Sequence, residues 1–475
     1  MLFNSLSFLV FFVLFFVVYF ALRGTGRTIF LLAASYVFYG WWDWRFLALI
    51  GFTSTLDYAM ARKLENCASP EKRKRFLLTS IVSNLSILGF FKYFNFFVDS
   101  FKDAARAVGV DVATPALEII LPVGISFYTF QSLGYVIDVY RGRTAAERSW
   151  LRYASYVAFF PQLVAGPIER ASHLLPQFSR EHALDAHRFV SGFQLALWGF
   201  VKKVVVADSL SMLVDLRFSS PLAHSPLDLW LGMYFFALQL YCDFSGYSDI
   251  AVGTARILGF DLRMNFDRPY FAGSFREFWQ RWHVSLSSWF RDYVYIPLGG
   301  NRLGGFRAFQ NLMLTMLVGG LWHGAKWTFV FWGFLNGIYI AAERLVGDSL
   351  RGLARALGVP GPVRLLLARA VVFHGFCASL IFFRAPSFHD AAVYLGGMAA
   401  LGAPAAFQVM HAVLTAKALV LCGCVLVLEA VSFRFDFESF LDRHPGARLL
   451  ALAMGIWTLV FLGNLTGQRF IYFQF

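Results

Sequence analysis

Charged residues are scarce in this chain. Asp, Glu, Lys and Arg make up 15% of its 475 residues, whereas a soluble protein needs roughly a quarter to cover its surface. That shortage excludes an ordinary water-soluble enzyme. Cysteine is sparse too: Cys67, Cys242, Cys377, Cys422 and Cys424 follow no disulfide or zinc spacing, and they read as small hydrophobes. No tandem repeat and no low-complexity segment is present. The first apolar run lacks a charged n-region and a small-x-small cleavage site, so it reads as a retained helix and not as a cleaved signal.

Apolar residues fill the gap. They make up 58% of the chain, the mean hydropathy is +0.58, and they occur in runs such as "SLSFLVFFVLFFVVYFAL" (5–22) and "LVLCGCVLVLEAVSF" (419–433). Stretches near 20 apolar residues cross a bilayer as helices. The chain therefore reads as an all-α, polytopic integral membrane protein forming a single domain over 1–475. Spans are predicted near 5–22, 28–42, 45–61, 76–98, 118–138, 150–168, 189–207, 227–257, 309–345, 364–384, 413–432 and 448–465. About eleven of these should cross fully, since 118–138 and 150–168 carry Pro, Gly and polar residues and are predicted to be re-entrant.

The net charge of +13 does not point to nucleic acid. The basic residues collect at span ends, as in "RGTGR" (23–27) and "ARKLENCASPEKRKRF" (61–76), and cytoplasmic loops of membrane proteins collect Lys and Arg. With both loops cytoplasmic, the N-terminus faces the periplasm. The tryptophan-rich "WWDWR" (41–45) then lies at the opposite interface.

The least hydrophobic region is where chemistry should be sought. "SFREFWQRWHVSLSSWFRDYVYIPLGGNR" (274–302) carries too many charges to span. Set on one helix, Phe278, Trp279, Trp282, Leu286, Trp289, Phe290 and Tyr293 share an arc, with His283 at its edge. Such a helix lies along the interface or lines a polar cavity, and Pro297 with Gly299–Gly300 ends it. Taken alone, His283 could simply be an interfacial histidine bonded to a carbonyl.

A second histidine sits deeper, in "LVGGLWHGAKWTFVFWGFLNG" (317–337). Ionisable residues within spans are rare and usually mark pathways or chemistry. On an uninterrupted helix Gly319 and Gly320 share a face with His323 and leave open volume beside it. The same glycines also permit close helix packing. The segment 309–345 exceeds one span, so a break near Gly319–Gly320 or a strong tilt is expected. Buried imidazole stays neutral, and a neutral imidazole beside a cavity suits general-base work on a hydroxyl or thiol.

Two further stretches hold polar groups in apolar surroundings. In "CDFSGYSDI", Asp243 and Asp249 either line a funnel or pair with Arg256, Arg276 or Arg281, because buried charges need partners. In "FPQLVAGPIER", Pro161, Gly166 and Pro167 predict a broken helix inside the bundle, with Gln162 facing a tunnel or packing. The remaining histidines, His173, His182, His187, His224, His374, His389, His411 and His444, read as solvated or satisfied.

Four blocks together, "FFPQLVAGPIER" (159–170), "QLYCDFSGYSDIAVGTARILGFDLRMNFDRPY" (239–270), "FREFWQRWHVSLSSWFRDYVYIPLGGNR" (275–302) and "GGLWHGAKWTFVFWGFLNG" (319–337), resemble the membrane-bound O-acyltransferase family. The nearest likeness is its bacterial branch of alginate O-acetylation and teichoic-acid D-alanylation. The chain's opening and its ending, "FIYFQF" (470–475), also look like the alginate type. The resemblance implies helices around a funnel, with a tunnel across a thinned membrane floor. It implies that His323 matches the family's invariant histidine and His283 its second polar position. It implies acyl transfer from a cytoplasmic thioester, acetyl-CoA or another, to a hydroxyl delivered outward, with a periplasmic SGNH-hydrolase-like or similar acetyl-accepting partner. Localisation would be the bacterial inner membrane.

On this reading His323 deprotonates the attacking group, and His283 orients donor or acceptor or stabilises developing charge. Trp322, Arg281 and Arg291 shape the cavity. No metal is expected, since neither histidine sits in an H-E-x-x-H or carboxylate pattern, and no bound cofactor is implied. Two alternatives stand beside O-acetylation of an exported polysaccharide. One is D-alanyl or peptidoglycan acetyl transfer by the same fold. The other is a secondary transporter, which would need internal repeats.

Overall fold

The computed structural model describes residues 1–112, 117–164, 166–400, 409–464 and 470–471. The side chain of His411 and residues 472–475 of the ending lie outside the described residues. The described residues form helices and connecting turns, with no β-strand among them. The chain divides into two compact units, Met1–Phe193 with Ala251–Arg263, and Gln194–Ile250 with Met264–Phe475.

The first unit holds α1 (Leu6–Ala21), α2 (Gly24–Gly40), α3 (Leu47–Glu65), α4 (Pro70–Leu88), α5 (Phe94–Ala107), α6 (Ile125–Tyr140), α7 (Trp150–Ala158), α8 (Phe160–Leu163), α9 (Ala171–Leu174) and the start of α10 (Ala186–Phe200). Several of its arginines are tied down by bonds within the unit. Arg27 donates to the His182 carbonyl, Arg73 to that of Tyr140 at 2.9 Å, and Arg152 to Ser179 Oγ at 2.9 Å, while Arg188 pairs with Asp261 at 2.6 Å. The Met1 amino group bonds the Phe38 carbonyl at 2.7 Å, beside the exposed Trp41, Trp42 and Trp44. Asp57 on α3 accepts from Ser80 (2.6 Å) and Asn84 (3.0 Å) on α4, all three fully buried. Such a satisfied knot ties two helices where no water is at hand.

The second unit continues α10 through a π-helical turn, Val201–Ala207, into α11 (Asp208–Ser219), and then holds most of α12 (Pro226–Ile257). There follow α13 (Phe275–Arg281), α14 (Val284–Phe290), α15 (Gly305–His323), α16 (Trp327–Ala356), α17 (Gly361–Arg384), α18 (Phe388–Ala399), α19 (Val409–Val431), α20 (Phe437–Arg443) and α21 (Pro445–Leu462). Among the described residues six helical stretches are long and apolar enough to cross a membrane, namely Pro70–Ala107, Ala186–Ser219, Trp327–Ala356, Gly361–Arg384, Ala412–Val431 and Pro445–Leu462. The protein is a multi-pass, all-helical membrane protein.

Three expectations need correction. The segment 118–138 becomes helical only at Ile125. The amphipathic segment 274–302 is not one helix: α13 ends at Arg281, Trp282 is extended, and His283 sits in the left-handed region at φ 44° before α14 begins. The cause is tertiary, because the stretch 265–267 takes over the backbone bonding there. Val284 N donates to the Asn265 carbonyl at 2.9 Å, and Asp267 N to that of Arg281 at 3.0 Å. The third concerns 309–345, whose break falls at Gly324–Lys326, just beyond His323, and not at Gly319–Gly320.

Nor does Gly320 leave open volume. A Cβ on Gly320 would lie 2.3 Å from the Phe329 carbonyl oxygen, and one on Gly333 would lie 2.2 Å from that of Met316. Gly320 and Gly333 let α15 and α16 touch backbone to backbone. Gly320→Ala is expected to push the two helices apart and cost about 1–3 kcal/mol, read as a lower unfolding temperature of the detergent-solubilised protein. An unchanged melting curve would show that the helices separate freely.

Candidate active site

Two local devices bring the histidines into the core. The left-handed residue at 283 turns its side chain inward, leaving it 1% exposed. Non-glycine residues in that conformation cost roughly 1–3 kcal/mol and persist where surrounding contacts fix them. Here the fixing contacts are the backbone bonds from 265–267 and a bond from Ser287 N to the His283 carbonyl at 2.9 Å. His323 closes α15 and is 5% exposed.

The rings form one continuous aromatic file. His283 packs edge-on against Phe244 at 4.6 Å, and Trp322 stands 5.9 Å from His283 and 5.0 Å from His323. Beyond, His323 meets Trp332 at 5.0 Å and Phe383 at 5.5 Å. The two imidazoles thus flank a single indole. Burial alone lowers the His283 imidazole to about 3, so it is neutral.

Two buried indole N–H groups in this file, Trp332 Nε1 and Trp279 Nε1, have no acceptor among the described residues, and their rings lie 5.7 Å apart. Buried donors are nearly always satisfied. The Trp332 ring lies 5.0 Å from His323, so its N–H is a donor beside a histidine, the kind of group that stabilises a developing oxyanion. Neither tryptophan was singled out from sequence, since an indole in an apolar run looks like packing.

The other candidates are spread more widely. Trp322 is 3% exposed, between the histidines. Arg281 pairs with Glu277 at 2.6 Å, whereas the Arg291 side chain is 62% exposed against Asp292. Gln162 belongs to the first unit, buried, donating to the Tyr156 carbonyl at 2.8 Å.

Asp243 and Asp249 are each paired with a lysine. Lys203 Nζ lies 2.7 Å from both Asp243 and Asp208, and Lys202 Nζ lies 2.6 Å from Asp249. All five side chains are buried. Gly199 and Gly246 make this possible, for a Cβ on Gly199 would lie 2.5 Å from the Gly246 carbonyl oxygen, so α10 meets α12 at backbone distance. Asp243 also accepts from Ile471 N at 2.6 Å, and Phe470 stacks on Tyr247 and touches Phe244. The signal was present in sequence: two consecutive lysines inside the apolar "VKKVVVA".

Several other histidines bond carbonyls or a carboxylate, as His173 does with Glu169 at 2.8 Å. His182, His224, His374 and His444 each meet a backbone oxygen, and His187 and His389 are exposed.

The model of the membrane-bound O-acyltransferase family matches residues 147–354, which include both histidines. A probable alginate O-acetylase of Pseudomonas putida is 42% identical over 85% of this chain and 81% of its own length. The chain belongs to the membrane-bound O-acyltransferase family. Other acyltransferase relatives include a peptidoglycan O-acetyltransferase of Helicobacter pylori, 33% identical over 78% of this chain and 74% of its own. A teichoic acid D-alanyltransferase of Streptococcus thermophilus is 30% identical over 46% of this chain and 55% of its own. Membership in this acyltransferase family sets the transporter reading aside.

Proposed function

We propose that this chain is the inner-membrane subunit that moves an acetyl group from a cytoplasmic thioester, acetyl-CoA or a relative, to a hydroxyl of an exported, alginate-like polysaccharide. The observation that carries it is the pair of buried imidazoles on either side of Trp322. The basic loops of the first unit face the cytoplasm, and the N-terminus with its tryptophan-rich loop faces the periplasm. An SGNH-hydrolase-like periplasmic protein takes part on the outer side. Among acceptors, polysaccharide is favoured because the alginate-type relative combines higher identity with greater coverage of this chain than the other two.

His323 takes the proton from the attacking hydroxyl, whose oxygen then adds to the thioester carbonyl. Negative charge builds on the carbonyl oxygen, opposite the indole N–H groups of Trp332 and Trp279. Collapse breaks the C–S bond, and the proton held on His323 passes to the departing thiolate. His283 stays neutral and orients the thioester.

The test is the acetate content of exported polymer in cells carrying the partner proteins. His283→Ala is expected to lower it by about tenfold or more at normal membrane level. Trp332→Phe, which keeps the ring and removes only the N–H, should lower it as well. Full acetylation in both variants would leave these residues structural.

A further inference from the structure

We propose that Asn265 is a positioning residue for His283, capping α14 from outside so that the imidazole is not drawn into capping it. The proposal deepens the function assigned above and rests on His283 meeting the thioester.

The first N–H groups of a helix have no partner within it, and the residue before the helix usually supplies one from its own side chain. That works because the cap residue is extended, which brings its side chain over the opening turn. The neighbouring α13 follows this pattern: Ser274 is extended at φ −155°, and its Oγ accepts from Glu277 N at 3.0 Å. α14 departs from it. His283 holds the cap position in the left-handed region, at φ 44° and ψ 55°, and its side chain makes no capping bond.

Asn265 takes that role. Its backbone carbonyl accepts from Val284 N at 2.9 Å, and its Oδ1 accepts from Ser285 N at 3.3 Å. One residue thus meets the first two N–H groups of α14 with two oxygens, and it is 1% exposed. On the other side of His283, Asp267 N bonds the Arg281 carbonyl at 3.0 Å. Between these two grips, the Phe266 ring packs edge-on against Trp282 at 5.1 Å and Phe244 at 5.0 Å.

The arrangement has a chemical consequence. A neutral imidazole keeps one nitrogen that accepts hydrogen bonds, and at a helix start it can accept from the very N–H groups that Asn265 now meets. Without Asn265, His283 reaches them by returning to extended backbone, which also relieves the left-handed strain. The ring then leaves its place between Phe244 and Trp322. A short side chain ending in an oxygen prevents this, so Asp can replace Asn265 and Ala cannot. Asn265 Nδ2 has no acceptor among the described residues, so the amide nitrogen is no part of the cap.

The experiment reads acetate on exported polymer, in cells carrying the partner proteins, beside the melting temperature of the full-length protein in detergent. Asn265→Ala should lower acetylation by about tenfold or more at normal membrane level, and lower the melting temperature as well. Asn265→Asp keeps the capping oxygen and should restore most of both, since an acidic side chain suits a helix start. The readout particular to positioning is the double variant. In a His283→Ala chain, adding Asn265→Ala should change acetylation by less than about twofold, because no imidazole is left to place. A further fall as large as in the wild type overturns the proposal, and so does an Asn265→Asp chain as poor as Asn265→Ala. If Asn265→Ala does not accumulate, Asn265→Asp is judged alone: acetylation near wild type supports the cap, and an absent or inactive protein overturns it. Full acetylation by His283→Ala would instead sink the role assigned to that histidine, and the cap would then stand or fall on the melting temperatures of the two Asn265 variants.

Discussion

His323→Ala leaves the protein in the membrane and cuts acetate on the exported polymer by about 10²–10⁴-fold, the usual contribution of a positioned general base. The side chain is small and ends a helix, so removing it leaves α15 intact. The structural cost is the space left among Trp322, Trp332 and Phe383, which hold the imidazole by ring contacts. His323→Gln serves as the companion, since it fills more of that space and retains polar atoms but does not shuttle a proton. Both variants should be comparably dead. Membrane levels measured beside acetate content separate chemistry from folding. Activity in His323→Gln near wild type would reduce the residue to a hydrogen-bonding filler.

The second large effect is on stability. Lys203→Met is expected to destabilise the protein by about 3–5 kcal/mol, because breaking a buried ion pair strands the charge left behind. Here it strands Asp208 and Asp243, both buried, and Lys203 itself is 1% exposed. Against a net stability of roughly 5–15 kcal/mol, the single variant should express poorly and melt early in detergent. Neutralising the carboxylates in the same protein, with Asp208→Asn and Asp243→Asn added to Lys203→Met, should recover much of the loss, since the stranded charge is then gone. A single variant that melts with the wild type would show that water or a bound cation already screens these groups. Phe244 follows Asp243 and packs on His283, so activity should fall with stability in the single variant.

The two histidines were legible in sequence to different degrees. His323 stands out because everything near it is apolar, and an imidazole there calls for a reason. His283 showed only as the edge of an apolar arc, and that arc assumed one straight helix. The bonds from 265–267 break the helix at Trp282–His283 and bury the ring, and no periodicity within 274–302 encodes a partner segment outside it. The carboxylates of "CDFSGYSDI" illustrate the same limit. Their need for cations followed from burial, yet lysines were not among the partners read for them from the sequence. Two lysines on α10's continuation meet them because glycines let two backbones approach.

By itself the sequence determined a multi-pass helical membrane protein, its family and the residues most in need of a chemical reason. Those properties are local: hydropathy, charge at span ends and short motifs are written in adjacent residues. The tertiary structure alone decided the depth of His283, the lysine partners of Asp243 and Asp249, the orphan indoles of Trp279 and Trp332, and the bonds from Asn265 to the start of α14. Each depends on segments far apart in the chain meeting at van der Waals or hydrogen-bond distance, and such distances are set by how whole helices pack.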